Sequence, residues 1–202
     1  MSYFGTEFFG ISAGILSAAS SLPYVYSIIR GRTKPSGPSW AAWALIGGVI
    51  FVSSYFSGAT WQVLVLPAWL FLYQSSVALL SLKYGHNVWD HWNIISISGA
   101  CLSIVLWVIT GNPVVALCAS VFADLLASIP NFRHLWSEPG EENRLGWTLG
   151  FCSAFFGVFA MKQWSIAESG FAVYFFLNMS GTLVLVWRPF FWRIFFKNKY
   201  AI

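Results

Sequence analysis

Apolar residues run in long unbroken stretches along this chain, and polar positions gather in the short gaps between them. A helix that crosses a hydrocarbon core about 30 Å thick needs about 20 mainly apolar residues. Seven stretches meet or approach that length, at 8–29, 39–57, 62–82, 92–110, 113–133, 146–161 and 170–187. A membrane β-barrel would instead show segments of about ten residues that alternate apolar and polar positions. The pattern therefore predicts an all-α membrane protein of seven transmembrane helices, one transmembrane domain over 1–202. The residues before the first stretch, MSYFGTEF, carry a Glu and no Lys or Arg. A signal peptide has a basic n-region, so this stretch is expected to remain as a permanent span.

Composition strengthens the membrane assignment. Hydrophobic residues make up 57% of the chain and charged ones 9%, against about 25% charged in a soluble domain, and the mean hydropathy is +0.67. The net charge of +4 points to topology rather than to nucleic acid, which is not expected as a partner. Seven spans place the termini on opposite faces. One face then collects Arg30, Arg32, Lys34, Lys83, Arg133, Arg144, Arg188, Arg193, Lys197 and Lys199, and the other keeps Lys162. By the positive-inside rule the basic face is cytoplasmic, with the N-terminus outside and the C-terminus inside. Short loops and small size suit a bacterial inner membrane, although an organelle membrane would give a similar composition. Trp40, Trp61, Trp147 and Trp187 fall near span ends, where indoles favour the headgroup region. The tail at 188–202, RPFFWRIFFKNKYAI, alternates aromatic and basic residues and is expected to lie on the inner leaflet against anionic lipids. Cys101, Cys118 and Cys152 all fall inside predicted spans without metal-ligand spacing, and are read as packing residues.

The chain also repeats itself. SLPYVYSIIRGRTKPSGPSW begins at Ser21, and SIPNFRHLWSEPGEENRLGW begins 107 residues later at Ser128. Without a gap, Ser21 falls on Ser128, Leu22 on Ile129, Pro23 on Pro130 and Trp40 on Trp147. Both copies sit where a span ends and a polar loop leads to the next. Three spans reverse the chain's side of the membrane, so two units that point the same way need one helix between them. The expectation is a 3+1+3 arrangement of two parallel three-helix repeats, 8–82 and 113–187, joined by a linker helix at 92–110. The loops differ in charge, with Arg30, Arg32 and Lys34 in the first and Glu138, Glu141 and Glu142 in the second.

A Ser-hydrophobic-Pro step near the end of spans 1 and 5, then a charged loop, a small-residue turn and a Trp, resembles the PQ-loop superfamily. That superfamily includes the SWEET and semiSWEET sugar transporters, lysosomal amino-acid exporters and the KDEL receptor. The family's Gln after the proline is Tyr24 in the first copy and Asn131 in the second. Prolines that SWEET transporters carry inside spans 2 and 6 are absent, Pro38 lying just before span 2. The resemblance implies a central site lined from spans 2, 3, 6 and 7. On that basis Asn178 stands in span 7, Gln74 with Tyr73 in span 3, Trp43 as an aromatic in span 2, and Asn131 at the motif position as solute-binding candidates.

Asp124 stands out without any resemblance, as the acidic residue placed mid-span. A charge at mid-membrane costs about 2.5–3.5 kcal/mol on the mildest scales, so a carboxyl retained there suggests a proton-coupled step, or else a hydrogen bond that joins helices. Amides supply donors and acceptors to a polar solute, and also tie helices together at about 0.6–2 kcal/mol. Pro23, Pro67 and Pro130 interrupt apolar helices. The matched pair Pro23 and Pro130 is read as two hinges, and Pro67 as a tolerated kink. His86, Asp90 and His91 lack a strong zinc spacing and are read as a solvated loop, so no metal or cofactor is expected.

These residues lead to a transporter of a small polar solute working by alternating access, with proton coupling through Asp124 as a further expectation. The alternative is a ligand-binding receptor or sensor without net flux, of the KDEL-receptor kind. A retinal protein would need a lysine in the last span, and 170–187 has none. Hydrolase and phosphate-binding motifs are absent, so an enzyme is not expected.

Overall fold

The computed structural model describes residues 3–32, 34–137 and 144–196. Seven helices are found among them: α1 (Tyr3–Ile29), α2 (Gly37–Phe56), α3 (Trp61–Tyr84), α4 (His91–Thr110), α5 (Pro113–Ser137), α6 (Arg144–Phe159) and α7 (Ile166–Phe196). Six are long and apolar enough to cross a membrane, as in a multi-pass integral membrane protein. The exception, α6, has 16 residues. At 1.5 Å per residue it spans about 24 Å, less than a hydrocarbon core of about 30 Å.

Local signals set the helix ends. Pro38 lies in the first turn of α2, where a missing N–H costs no helical hydrogen bond. Asp90 caps α4 by accepting from Asn93 N at 2.8 Å. The same helix stops at Gly111, whose φ of 62° is a left-handed value that glycine adopts without steric cost. Its N–H closes the last turn on Trp107 O at 2.8 Å. At the far end, α7 continues through Pro189 to Phe196. The first part of the expected inner-leaflet tail, 188–196, is therefore the end of the last helix, while 197–202, with Lys197 and Lys199, lies outside the described residues. So does the Glu138, Glu141, Glu142 cluster.

The packing follows membrane rules. Buried interfaces use small residues such as Ala13, Ala42, Ala100, Ala116 and Ala154, and large ones such as Leu79, Leu82, Val108 and Ile109 face outward. Hydrocarbon is as apolar as Leu, so close backbone approach, not apolar burial, holds such helices together. Helix α3 lies against both α1 and α2, and α7 against both α5 and α6. The two sets meet through α1 with α6 and α2 with α5, while α4 packs on α5 and α2. A core of Ile46, Ile50, Leu66, Ala100, Leu117 and Phe171 joins α2, α3, α4, α5 and α7.

Loops at one end interlock. Gly37 N donates to His86 O at 2.9 Å and His86 N to Pro35 O at 3.0 Å, joining the α1–α2 and α3–α4 connections. The basic residues gather there: Arg133 stands over the Trp92 ring, Arg144 over Trp187, and Arg188 donates to Trp136 O at 2.7 Å. Lys162 sits at the opposite end, beside the start of α7.

Candidate functional site

Asp124 and Ser128 are four residues apart on α5, and Tyr174 and Asn178 four apart on α7, a spacing that stacks each pair on one helix face. The two faces meet. Tyr174 Oη donates to Asp124 Oδ2 at 2.6 Å. Asn178 Nδ2 donates to Ser128 Oγ at 2.8 Å and to Tyr174 Oη at 3.1 Å. Ser128 Oγ completes the ladder by donating to Asp124 O at 2.9 Å. Both hydrogens of the Asn178 amide and the single hydrogens of Tyr174 and Ser128 are thus engaged within the protein.

Asp124 also faces a cavity of about 20 Å³, room for about one water. Its walls are Gly47 and Ile50 from α2, Pro67, Leu70 and Gln74 from α3, and Phe171 and Phe175 from α7. The two phenyl rings stack on one another, 5.3 Å between centroids and 22° between planes. Gln74 Oε1 is buried and has no hydrogen-bond partner among the described residues. Glycine at position 47 makes room for it, since a Cβ there would stand 2.5 Å from that oxygen. An unpaired buried amide oxygen costs about 1–3 kcal/mol, and Gln74 carries that cost beside the cavity.

The candidate residues from the sequence divide between this cavity and its surroundings. Gln74 and Asp124 line it, and so does Pro67, which the sequence left as a tolerated kink. Asn178 stands two hydrogen bonds from Asp124, through Tyr174. Trp43 and Tyr73 belong to an aromatic cluster around Trp40, each ring centroid 5.3 Å from the Trp40 centroid. Tyr24 packs on the same Trp40 at 5.4 Å, which gives it an aromatic packing role. Asn131 is half-buried one residue beyond Pro130, which lies inside α5 as Pro23 lies inside α1.

Two polar residues went unnoticed in the sequence. Tyr174 was one of many aromatics, although its position four residues before Asn178 put both on one face of α7. Glu168 is fully buried, and its Oε2 accepts from Lys162 N at 2.6 Å and Gln163 N at 3.0 Å. The signal for it was the Ser165-x-x-Glu168 spacing at the start of a span, the pattern of a helix N-terminus. Nearby, with its amide turned to face them, Gln62 accepts from Trp61 Nε1 and Lys162 Nζ, both at 3.1 Å.

Ser21, the repeat partner of Ser128, makes comparable contacts. Its Oγ donates to Ser17 O at 2.8 Å and accepts from Trp69 Nε1 of α3 at 3.1 Å. In each case the serine binds the carbonyl four residues earlier and receives a donor from the third helix of its set. No family model matches this chain, and neither a curated protein nor a solved structure matches it.

Proposed function

We propose that this protein is a transporter of a small polar solute, working by alternating access between two three-helix units of the PQ-loop kind. The observation that carries the reading is the cavity between α2 and α3 on one side and α5 and α7 on the other, with a carboxyl and an unpaired amide oxygen in its walls. Helix packing supports a 3+1+3 arrangement. Exchanging α1, α2 and α3 for α5, α6 and α7 turns the α1–α6 contact into α5–α2 and the smaller α3–α6 contact into α7–α2, both of which are present. The matched Ser21 and Ser128 contacts support the same pairing. Helix α4 serves as the linker that lets both units point the same way. Pro23 and Pro130 act as hinges, since each removes a backbone hydrogen bond from its helix at the matching place.

In this reading Asp124 exchanges a proton during the cycle, and Tyr174 and Asn178 hold it in place. The basic end faces the cytoplasm of a bacterial inner membrane and the N-terminus lies outside.

The test is uptake into liposomes, with the solute chosen as the metabolite that most raises the unfolding midpoint of the purified protein. An inward proton gradient should drive accumulation in the parent and not in Asp124→Asn, whose amide oxygen still accepts from Tyr174 and keeps the ladder. Equal gradient-driven uptake in that variant removes the proton-coupling role. Saturable binding of the solute with no uptake in the parent favours a receptor.

A further inference from the structure

The cavity has a chemical bias that narrows the solute. Its polar groups are the Asp124 carboxyl and the Gln74 carboxamide, whose Oε1 has no partner among the described residues. The hydrogens of Tyr174 are committed to Asp124 and those of Asn178 to Ser128 and Tyr174, which leaves the Gln74 amide as the donor in the wall. No basic side chain lines the cavity among the described residues, so an ionised Asp124 has no neighbouring cation in the wall. The remaining surface is apolar, and two of its members are the stacked rings of Phe171 and Phe175.

We infer that this cavity, between Asp124 and Gln74, receives the primary ammonium head of an organic amine. The inference rests on the transporter reading and names its substrate class. An ammonium offers three hydrogens and no acceptor, which complements a carboxylate and an unpaired amide oxygen. It is close to a water in size, and the cavity of about 20 Å³ holds about one water. Phenyl faces attract a cation through their quadrupoles, and the same faces suit the first methylenes of the amine.

A hard metal ion fits less well. Such ions take about six or more oxygen ligands, and the wall supplies a carboxylate and one amide oxygen between six apolar or glycine neighbours. No cluster of three metal-ligating side chains exists among the described residues. A sugar hydroxyl fits less well because it brings no positive charge to a carboxylate that, among the described residues, has no cation beside it in the wall. The cavity takes only the head of the solute. Admitting the rest requires α3 and α7 to part, as opening to one side of the membrane would do.

The experiment uses the full chain in detergent. Its probes are ethanolamine, butylamine and 2-phenylethylamine, each set against the alcohol in which a hydroxyl replaces the amine, and against NaCl and glucose at matched ionic strength. Thermal unfolding and equilibrium dialysis of the labelled amine give two independent readouts. At least one amine should raise the unfolding midpoint saturably while its alcohol does not. Asp124→Asn and Gln74→Leu should each weaken amine binding by about tenfold or more, with the ligand-free midpoint near that of the parent. If Asp124→Asn fails to fold, Gly47→Ala displaces Gln74 without touching the carboxyl and should give the same weakening. The inference is overturned if no amine protects, if alcohols or glucose protect equally, or if the variants bind amine as the parent does. NaCl protection equal to that of the amines also overturns it and reassigns the cavity to an alkali ion. Amine binding without uptake in liposomes keeps the inference and removes the transporter reading. Uptake of a neutral solute without amine binding does the reverse.

Discussion

Gly47→Ala separates the role of the cavity from the stability of the fold. A methyl on Gly47 would stand 2.5 Å from Gln74 Oε1 and 3.7 Å from the Phe71 Cα. The α3 backbone is far enough away to stay in place, and only the end of the amide has to yield. Ordinary contact begins at 3.4 Å, so Oε1 must withdraw by the difference, roughly 0.9 Å. A side chain pushed off its rotamer costs about 0.5–1.5 kcal/mol, and alanine in place of glycine returns about 0.8–1 kcal/mol to the helix. The two effects nearly cancel, and the variant should unfold within about 1 kcal/mol of the parent. The binding effect does not cancel. One hydrogen bond to a charged ligand group is worth about 1.5–3 kcal/mol, which converts to about ten- to a hundredfold in affinity. The assay pairs denaturation in mild detergent with binding and uptake of the solute that most stabilises the parent. Unchanged stability with unchanged binding refutes the reasoning, because Gln74 would then lie off the solute's path. A loss of several kcal/mol refutes it differently, by showing that α2 and α3 cannot tolerate the methyl.

Three further outcomes follow from other parts of the bundle. Gly10→Ala should destabilise by about 1–3 kcal/mol, because its methyl would stand 2.6 Å from the Gln62 carbonyl oxygen and 2.9 Å from its Cα, backbone that cannot turn aside. Gly5→Ala has nothing within 4 Å and should stabilise by up to about 1 kcal/mol; equal effects in denaturation would contradict the close α1–α3 approach. Glu168→Leu removes the acceptor for the Lys162 and Gln163 N–H groups and should cost about 1–3 kcal/mol, whereas Glu168→Gln, which keeps an acceptor, should cost less. A Leu variant as stable as the parent would mean that solvent serves those N–H groups equally well. On intact cells an impermeant maleimide should label Gln163→Cys, and Asn87→Cys only after permeabilisation, and the opposite pattern reverses the orientation.

The helices were legible because a membrane span announces itself by length and hydropathy, and the seven expected segments coincide with α1 to α7 to within a few residues at most ends. What faces what was much less legible. In a soluble helix the apolar stripe marks the buried side, but here the outward face is as apolar as the inward one, as Leu79 and Val108 show against Val63 and Leu117. Amides and aromatics could therefore be assigned to spans, though not to partners. Gln74 reaches the cavity while Asn178 is held by Ser128 and Tyr174, and nothing in a one-dimensional pattern separates the two. Glu168 was obscured for a related reason. It lies in the first turn of α7, at the margin between loop and span, where a charge normally signals exposure, yet the loop before α7 folds back and covers it.

The proposed pairing of halves also explains why there is one site and not two. In the gap-free register of Ser21 with Ser128, Asp124 falls on Ser17, Tyr174 on Pro67, and Gln74 on Gly181. Each of these three thus has a counterpart that cannot do its work: a hydroxyl for the carboxyl, a proline for the phenol, a glycine for the amide. A symmetric cavity would need two Asp and two Gln, and two carboxyls in one apolar space repel one another when ionised. Divergence between the halves avoids that conflict. The first half contributes the Gln74 oxygen and the second the Asp124 carboxyl, and the two meet only where the units pack together. A movement that separates the units separates the two acceptors as well. In the proposed cycle, affinity for the inferred ammonium head would then be tied to the state of the bundle, which is the coupling that alternating access requires.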